Sequence, residues 1–136
     1  MLLKEKTAVI TGCNRGIGKK ILEVFSTNGA NIFACVRTND ENFKKFVQNK
    51  MSENKNQITI IEFDLDKENE VKEGARKILD HNIPINIIIN NAGKISTSLF
   101  QMTSLKTFKD IFETNFFSPA LLTQYLLKSM LKNKNG

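Results

Sequence analysis

Cysteine, histidine and proline are scarce in this chain of 136 residues, which holds two, one and two of them. Two cysteines are too few for a disulfide framework, and Cys13 and Cys35 stand in neither a C-x-x-C nor a metal-ligand spacing. Reduced thiols acting as small side chains are expected, with no metal site. The only histidine, His81, falls near a helix end just before Pro84, where a surface or helix-terminal charge role outranks catalysis. Apolar runs extend over only a few residues, far short of a membrane span. The N-terminus lacks the cationic start and long apolar stretch of a secretory signal. A cytoplasmic protein without a membrane partner is expected.

What is present is ordinary for a globular protein: 40% hydrophobic and 25% charged residues. A chain of this length suits one domain and can bury roughly two-thirds of its unfolded surface. The net charge of +6 raises nucleic acid as a partner, since clustered cations release counterions from phosphates. The lysines are scattered, however: Lys44 and Lys45, Lys72 and Lys77, and Lys106 fall on three separate predicted helices. Solvated helix faces are the expected explanation, and no nucleic-acid partner is expected.

The organising stretch is Thr11-Gly12-Cys13-Asn14-Arg15-Gly16-Ile17-Gly18, between the apolar run Thr7–Ile10 and a helical pattern starting near Ile17. Such a turn suits a phosphate. Gly12 can take the left-handed angles of a tight turn, Gly16 lets the backbone approach a pyrophosphate, and Gly18 lets the helix press against its strand. The free amides of the helix start then face an anion. An ordinary glycine-rich strand-to-helix turn is the plain alternative. Order along the chain favours the dinucleotide site. Ile17, Ile21, Leu22 and Phe25 recur at helical spacing up to Asn28-Gly29, and Asn31–Val36 gives a second strand. Phe43, Phe46, Val47 and Met51 mark a second helix, and Ile58–Phe63 a third strand. Asp66 is the expected N-cap of a helix carrying Val71, Ala75, Ile78 and Leu79. Pro84 opens a fourth strand over Ile85–Ile89, whose near-continuous apolar character fits coverage on both faces. Leu105 begins one long helix continuing through Leu131. Alternating strands and helices require right-handed crossovers. The expected fold class is therefore α/β: a Rossmann-like doubly wound parallel sheet in strand order 3-2-1-4. It is expected to be truncated, lacking the later strands, as a single NAD(P)-binding domain over residues 1–136 incomplete at its C-terminus.

Thr11-Gly12-x-x-x-Gly16-Ile17-Gly18, Asp64-Leu65 after the third strand, Asn90-Asn91-Ala92-Gly93 after the fourth and Asn115 on the next helix stand in one order. Together they resemble the short-chain dehydrogenase/reductase family, and the Arg15-Gly16 form of the turn looks most like its 3-oxoacyl-(acyl-carrier-protein) reductase-like members. The resemblance covers essentially the whole chain. It implies that Gly12, Asn14, Arg15, Gly16, Ile17 and Gly18 hold the phosphate and ribose end of a nicotinamide cofactor. Asp64 and Leu65 would frame the adenine, and Asn91, Ala92 and Gly93 would pass under the cofactor's middle. For Asn90 and Asn91, a polar turn that locks strand ends is the competing role. The implied chemistry is hydride transfer between the nicotinamide and a carbonyl or alcohol, with a small-molecule or acyl-carrier-linked carbonyl substrate in the full enzyme.

Cofactor choice follows from charge. An acidic residue ending the second strand would bind the ribose hydroxyls of NAD(H) and repel a 2′-phosphate, but Val36 is there and Arg37 follows. NADP(H) is expected over NAD(H), with Arg15 and Arg37 donating charge-assisted hydrogen bonds to the extra phosphate. The family's Ser and Tyr-x-x-x-Lys are not found. Tyr125 is the only tyrosine, and four residues on stands Ser129. Asn115 is the one catalytic-type position: the resemblance implies that its main-chain carbonyl holds a water of the proton relay. Pro119 has no N–H to give that carbonyl, so a kinked helix with a free Asn115 carbonyl is expected. By itself the chain should bind cofactor without turning over; a non-catalytic dinucleotide-binding or regulatory module is the alternative. An open edge on the fourth strand predicts association, and a homo-oligomer is expected.

Overall fold

The structure, a computed structural model, describes residues 1–136. Four parallel strands, β1 (Thr7–Thr11), β2 (Asn31–Val36), β3 (Ile58–Glu62) and β4 (Ile87–Ile89), form one sheet in the order β3-β2-β1-β4. This is the expected Rossmann-like α/β arrangement. The connecting helices are α1 (Gly16–Thr27), α2 (Glu41–Asn54) and α3 (Glu68–Asp80); α4 (Leu105–Phe112) and α5 (Ser118–Asn133) follow β4.

Strand alternation divides the core in two, because successive side chains point to opposite faces. Ala8 and Ile10 of β1 with Ile32, Ala34 and Val36 of β2 meet Leu22 of α1 and Phe43 and Val47 of α2. Val9, Phe33 and Cys35 point the other way, against Val71, Ala75 and Ile78 of α3 and Leu122 and Leu126 of α5. Each fully buried Leu or Ile contributes about 1.5–3 kcal/mol relative to an exposed one. Both cysteines lie in this interior as free thiols. Burial pushes the Cys13 thiol up to about 12 and holds Cys35 well above its ordinary value. The lysines pair along helix surfaces, as in Lys20–Glu23, Lys44–Glu41, Lys72–Glu68 and Lys106–Asp110. His81 caps α3, its Nδ1 2.8 Å from the Lys77 carbonyl oxygen. No helix is long and apolar enough to cross a membrane.

Three expectations are corrected. β4 begins at Ile87 rather than Ile85: the Asn86 N–H donates to the Thr7 carbonyl at 3.0 Å, but the Thr7 N–H is taken by the Asn86 side chain, whose Oδ1 accepts it at 2.9 Å, so regular backbone pairing runs only from Ala8 and Ile87. Ile87 and Ile89 pack on one face of the sheet and Ile88 on the other, but as the edge strand β4 is only half-buried. Asp66 is not the N-cap of α3. Lys67 holds that position without a side-chain cap, and the Asp66 carboxylate turns to Lys94 and Thr114. The long helix from Leu105 is two α-helices joined by a π-helical turn over Glu113–Phe117, where the Ser118 N–H reaches back five residues to the Glu113 carbonyl. This wide turn coincides with the donor that Pro119 lacks. It also lets the Thr114 and Ser118 hydroxyls reach the loop after β3, Thr114 to Asp66 and Ser118 to the Leu65 carbonyl at 2.5 Å.

Candidate functional site: a cleft at the strand ends

A cleft of about 620 Å³ opens at the carboxyl ends of β1, β2 and β3, where open α/β sheets receive ligands. All twelve residues expected to hold a cofactor line it: Gly12, Asn14, Arg15, Gly16, Ile17, Gly18, Arg37, Asp64, Leu65, Asn91, Ala92 and Gly93. Thr11, at the head of the glycine turn, also lines it, as do Asp66, Lys94 and Thr114, for which the sequence gives no cofactor role. Asn115 is not among the lining residues.

The floor is the glycine turn. Gly12 is left-handed (φ +65°), and a Cβ there would stand 2.9 Å from the Ala92 Cα. Gly16 is also left-handed (φ +54°) but has open space where a side chain would project, which leaves room for a ligand beside the backbone. At Gly18 a Cβ would overlap the Gly12 carbonyl oxygen and the Asn91 amide nitrogen, so α1 leaves β1 with no spare volume. The N-terminus of α1 carries no side-chain cap, unlike α2, capped by Asp40, and α4, capped by Ser104. Its first-turn amides therefore retain the partial positive charge of a helix start.

Thr11 and Asn91 tie this floor to the loop after β4. The Thr11 hydroxyl accepts the backbone N–H groups of Asn91 at 3.1 Å and Ala92 at 3.0 Å. Asn91 returns the link: its Nδ2 donates to the Thr11 and Gly12 carbonyls at 3.0 and 3.1 Å. Asn90 donates to the Thr123 hydroxyl on α5 at 3.1 Å. Both asparagines thus fill the locking role, and Asn91 also faces the cleft. The only advance signal for Thr11 is its place at a strand end directly before Gly12.

The opposite wall is built from the ends of β2 and β3. Val36 is buried, and Arg37 leaves the strand into the cleft lining. The following loop is fixed by the Asn39 N–H donating to Glu62 Oε2 at 2.7 Å. Neither Arg15 nor Arg37 takes part in an ion pair. Two free guanidiniums therefore line one cleft. Asp64 is held by its neighbours: its N–H donates to Glu70 Oε2 at 2.9 Å, and its Oδ1 accepts the Asp66 N–H at 2.9 Å.

At the cleft rim the side chain of Asn115 clamps Lys94, accepting its N–H and donating to its carbonyl, both at 2.8 Å. Lys94 in turn reaches Asp66 Oδ1 and Oδ2 at 3.1 and 2.9 Å. Burial alone would push the Asp66 carboxyl up. Hydrogen bonds from Thr114 and Lys94, with the charges of Lys94 and Arg37, outweigh it and hold the group below its ordinary value. Tyr125 lies outside the cleft lining; it packs beside the α3 face of the core with Lys128 Nζ 5.3 Å from its ring centre.

Residues 6–136 match the family model described as short chain dehydrogenase. The chain belongs to this family. It is 34% identical over 139 aligned positions to dehydrogenase/reductase SDR family member 7B of Xenopus laevis, covering 98% of this chain and 43% of that protein. It is 29% identical to a 3-oxoacyl-(acyl-carrier-protein) reductase of Buchnera aphidicola, covering all of this chain and 54% of that one. Among solved structures, a protein of Beutenbergia cavernae, provisionally assigned as an NAD(P)-dependent gluconate 5-dehydrogenase and holding NADP at low occupancy, is 25% identical with a TM-score of 0.86. That match covers 98% of this chain and 52% of its own. The chain thus spans about half the length of the family members it matches.

Proposed function

We propose that this chain is the cofactor-binding domain of an NADP(H)-dependent short-chain oxidoreductase acting on a small-molecule or acyl-carrier-linked carbonyl. The carrying observation is that the uncapped start of α1 and two unpaired guanidiniums, Arg15 and Arg37, line one cleft without an acidic residue ending β2. In this reading the amides and turn of Gly16–Gly18 hold the pyrophosphate, and Arg15 and Arg37 hold the 2′-phosphate. Asp64 and Leu65 border the adenine, while Asn91, Ala92 and Gly93 support the cofactor's middle. The bound nicotinamide supplies the hydride. Asn115 acts on the rim by holding Lys94; its main-chain carbonyl is assigned the water of a proton relay. The residues present bind and orient, and the chain lacks a Tyr-x-x-x-Lys to move the substrate proton.

The test is calorimetric titration with NADPH and NADH, together with an assay of carbonyl reduction. Tighter binding of NADPH without turnover is expected. Turnover by this chain alone would overturn the division between binding and chemistry, and absence of binding to either cofactor would overturn the assignment. Exposed Phe112, Phe116 and Phe117 and the open edge of β4 support self-association of this chain. Sedimentation should show concentration-dependent assembly; a monomer at all concentrations would refute it.

A further inference from the structure

Five charged side chains line the cleft: Arg15, Arg37 and Lys94 are cationic, and Asp64 and Asp66 are anionic. An anion can enter only where carboxylates are neutralised, and Asp66 is the one most completely engaged. Lys94 Nζ contacts both of its oxygens, and the buried Thr114 hydroxyl donates to Oδ1. Arg37 is close enough for its charge to act on Asp66, yet it forms no ion pair with it. One carboxylate therefore shares the cleft with these two cations and is bound to only one. The choice is set by backbone placement. The two hydrogen bonds from Asn115 fix Lys94 at the rim, and the Thr114 hydroxyl from the same π-helical turn fixes Asp66.

We infer that Lys94 is a specificity-determining residue: by occupying Asp66 it keeps Arg37 free for the 2′-phosphate of NADP(H). The inference rests on the proposed preference for NADP(H), and it assigns that preference a third residue, one that never touches the phosphate. With Lys94 removed, Asp66 becomes a carboxylate without a cation in the same cleft as Arg37, where it attracts the guanidinium and repels the incoming phosphate. NADH carries no 2′-phosphate, so its binding does not depend on where Arg37 points. The Lys94–Asp66 pair is more than a third exposed, so solvent screens it and the effect is modest.

The experiment measures dissociation constants for NADPH and NADH with the wild-type chain, Lys94→Met, Asp66→Asn and the double variant. Lys94→Met should lower the NADPH-over-NADH preference about two- to fivefold, the range of a screened charge contact. Adding Asp66→Asn to Lys94→Met should restore it, since no carboxylate is then left to capture Arg37. Equal loss of both cofactors in Lys94→Met, an unchanged ratio, or no restoration in the double variant would each overturn the inference. Should Lys94→Met fail to fold by circular dichroism, Lys94→Ala, which keeps the backbone clamp from Asn115 and leaves Asp66 without its cation, supplies the same comparison. A wild-type chain without a preference for NADPH refutes the NADP(H) reading itself, before any variant is compared.

Discussion

The two walls of the cleft are built on opposite plans. On the side of β1 and β4, polar groups answer one another. The Thr11 hydroxyl holds two backbone amides, the Asn91 side chain holds two carbonyls, and Gly18 leaves no room for a methyl group. By contrast, Arg37 after β2 and Arg15 at the start of α1, which line the same cleft, have no carboxylate partner at all. The first wall spends its hydrogen-bonding capacity on its own shape, and the second keeps its charge for something outside the protein. A binding site needs both, because free cations select a ligand only where a rigid floor fixes the distance between them.

The sharpest way to break the contrast is to deform the rigid wall. Gly18→Val would place a branched side chain against the Gly12 carbonyl and the Asn91 amide, neither of which can retreat without breaking the floor. Overpacking of this kind costs about 1–3 kcal/mol, and a backbone obstacle puts it at the upper end. Denaturant unfolding should show the loss, and binding of either cofactor should disappear with it. A stable, binding-competent Gly18→Val would show that the floor is not close-packed.

The free wall is tested by reversing a charge. Arg37→Asp should leave unfolding stability nearly unchanged, since Arg37 is exposed and unpaired, and should shift preference toward NAD(H). A charge-assisted hydrogen bond contributes about 1.5–3 kcal/mol, so the ratio of the two dissociation constants should move by about ten- to a hundredfold. Unchanged relative affinities would refute the role of Arg37. A smaller change is expected on the rigid wall from Asn91→Ala, which leaves two carbonyls with a lost partner. About 1–2 kcal/mol of stability should go, and both cofactors should weaken together. Selective loss of one cofactor would mean that Asn91 reads the ligand rather than holding the floor.

These differences track what was legible in the sequence. Gly12, Gly16 and Gly18 announce themselves by spacing, because each backbone demand falls within one local turn. Arg37 is legible because strand β2 ends immediately before it. Strands β1 and β2 are legible as apolar runs, but which of their residues meet α1 and α2 and which meet α3 and α5 emerges only when the side chains alternate across the formed sheet. What was hidden depends on partners far along the chain. Asp66 has the residue type and position of a helix cap, and only the tertiary fold brings Lys94, 28 residues on, close enough to draw it away. The π-helical turn was hidden for a related reason: Pro119 marks a missing donor, but the choice between a kink and a wide turn depends on Thr114 and Ser118 meeting the β3 loop. Local chemistry wrote the turn, and distant contacts wrote the rim.

The rim provides the smallest effect and the finest test of the comparison, because it joins the two walls. The Asp66 carboxyl titrates below its ordinary value when folded, despite the opposing push of burial, through Thr114, Lys94 and the charge of Arg37. A carboxyl lowered on folding contributes stability that is present above its unfolded pKa, near 3.9, and lost as pH falls through the folded value. The wild-type chain should therefore lose a small increment of stability, below about 1 kcal/mol for so exposed a pair, in the acid range below pH 4. Asp66→Asn should remove that increment while leaving the alkaline limb of the stability curve unaltered. If the acid limbs of wild type and Asp66→Asn superimpose, the Lys94–Asp66 contact adds no net stability, and its consequence is confined to holding Asp66 away from Arg37.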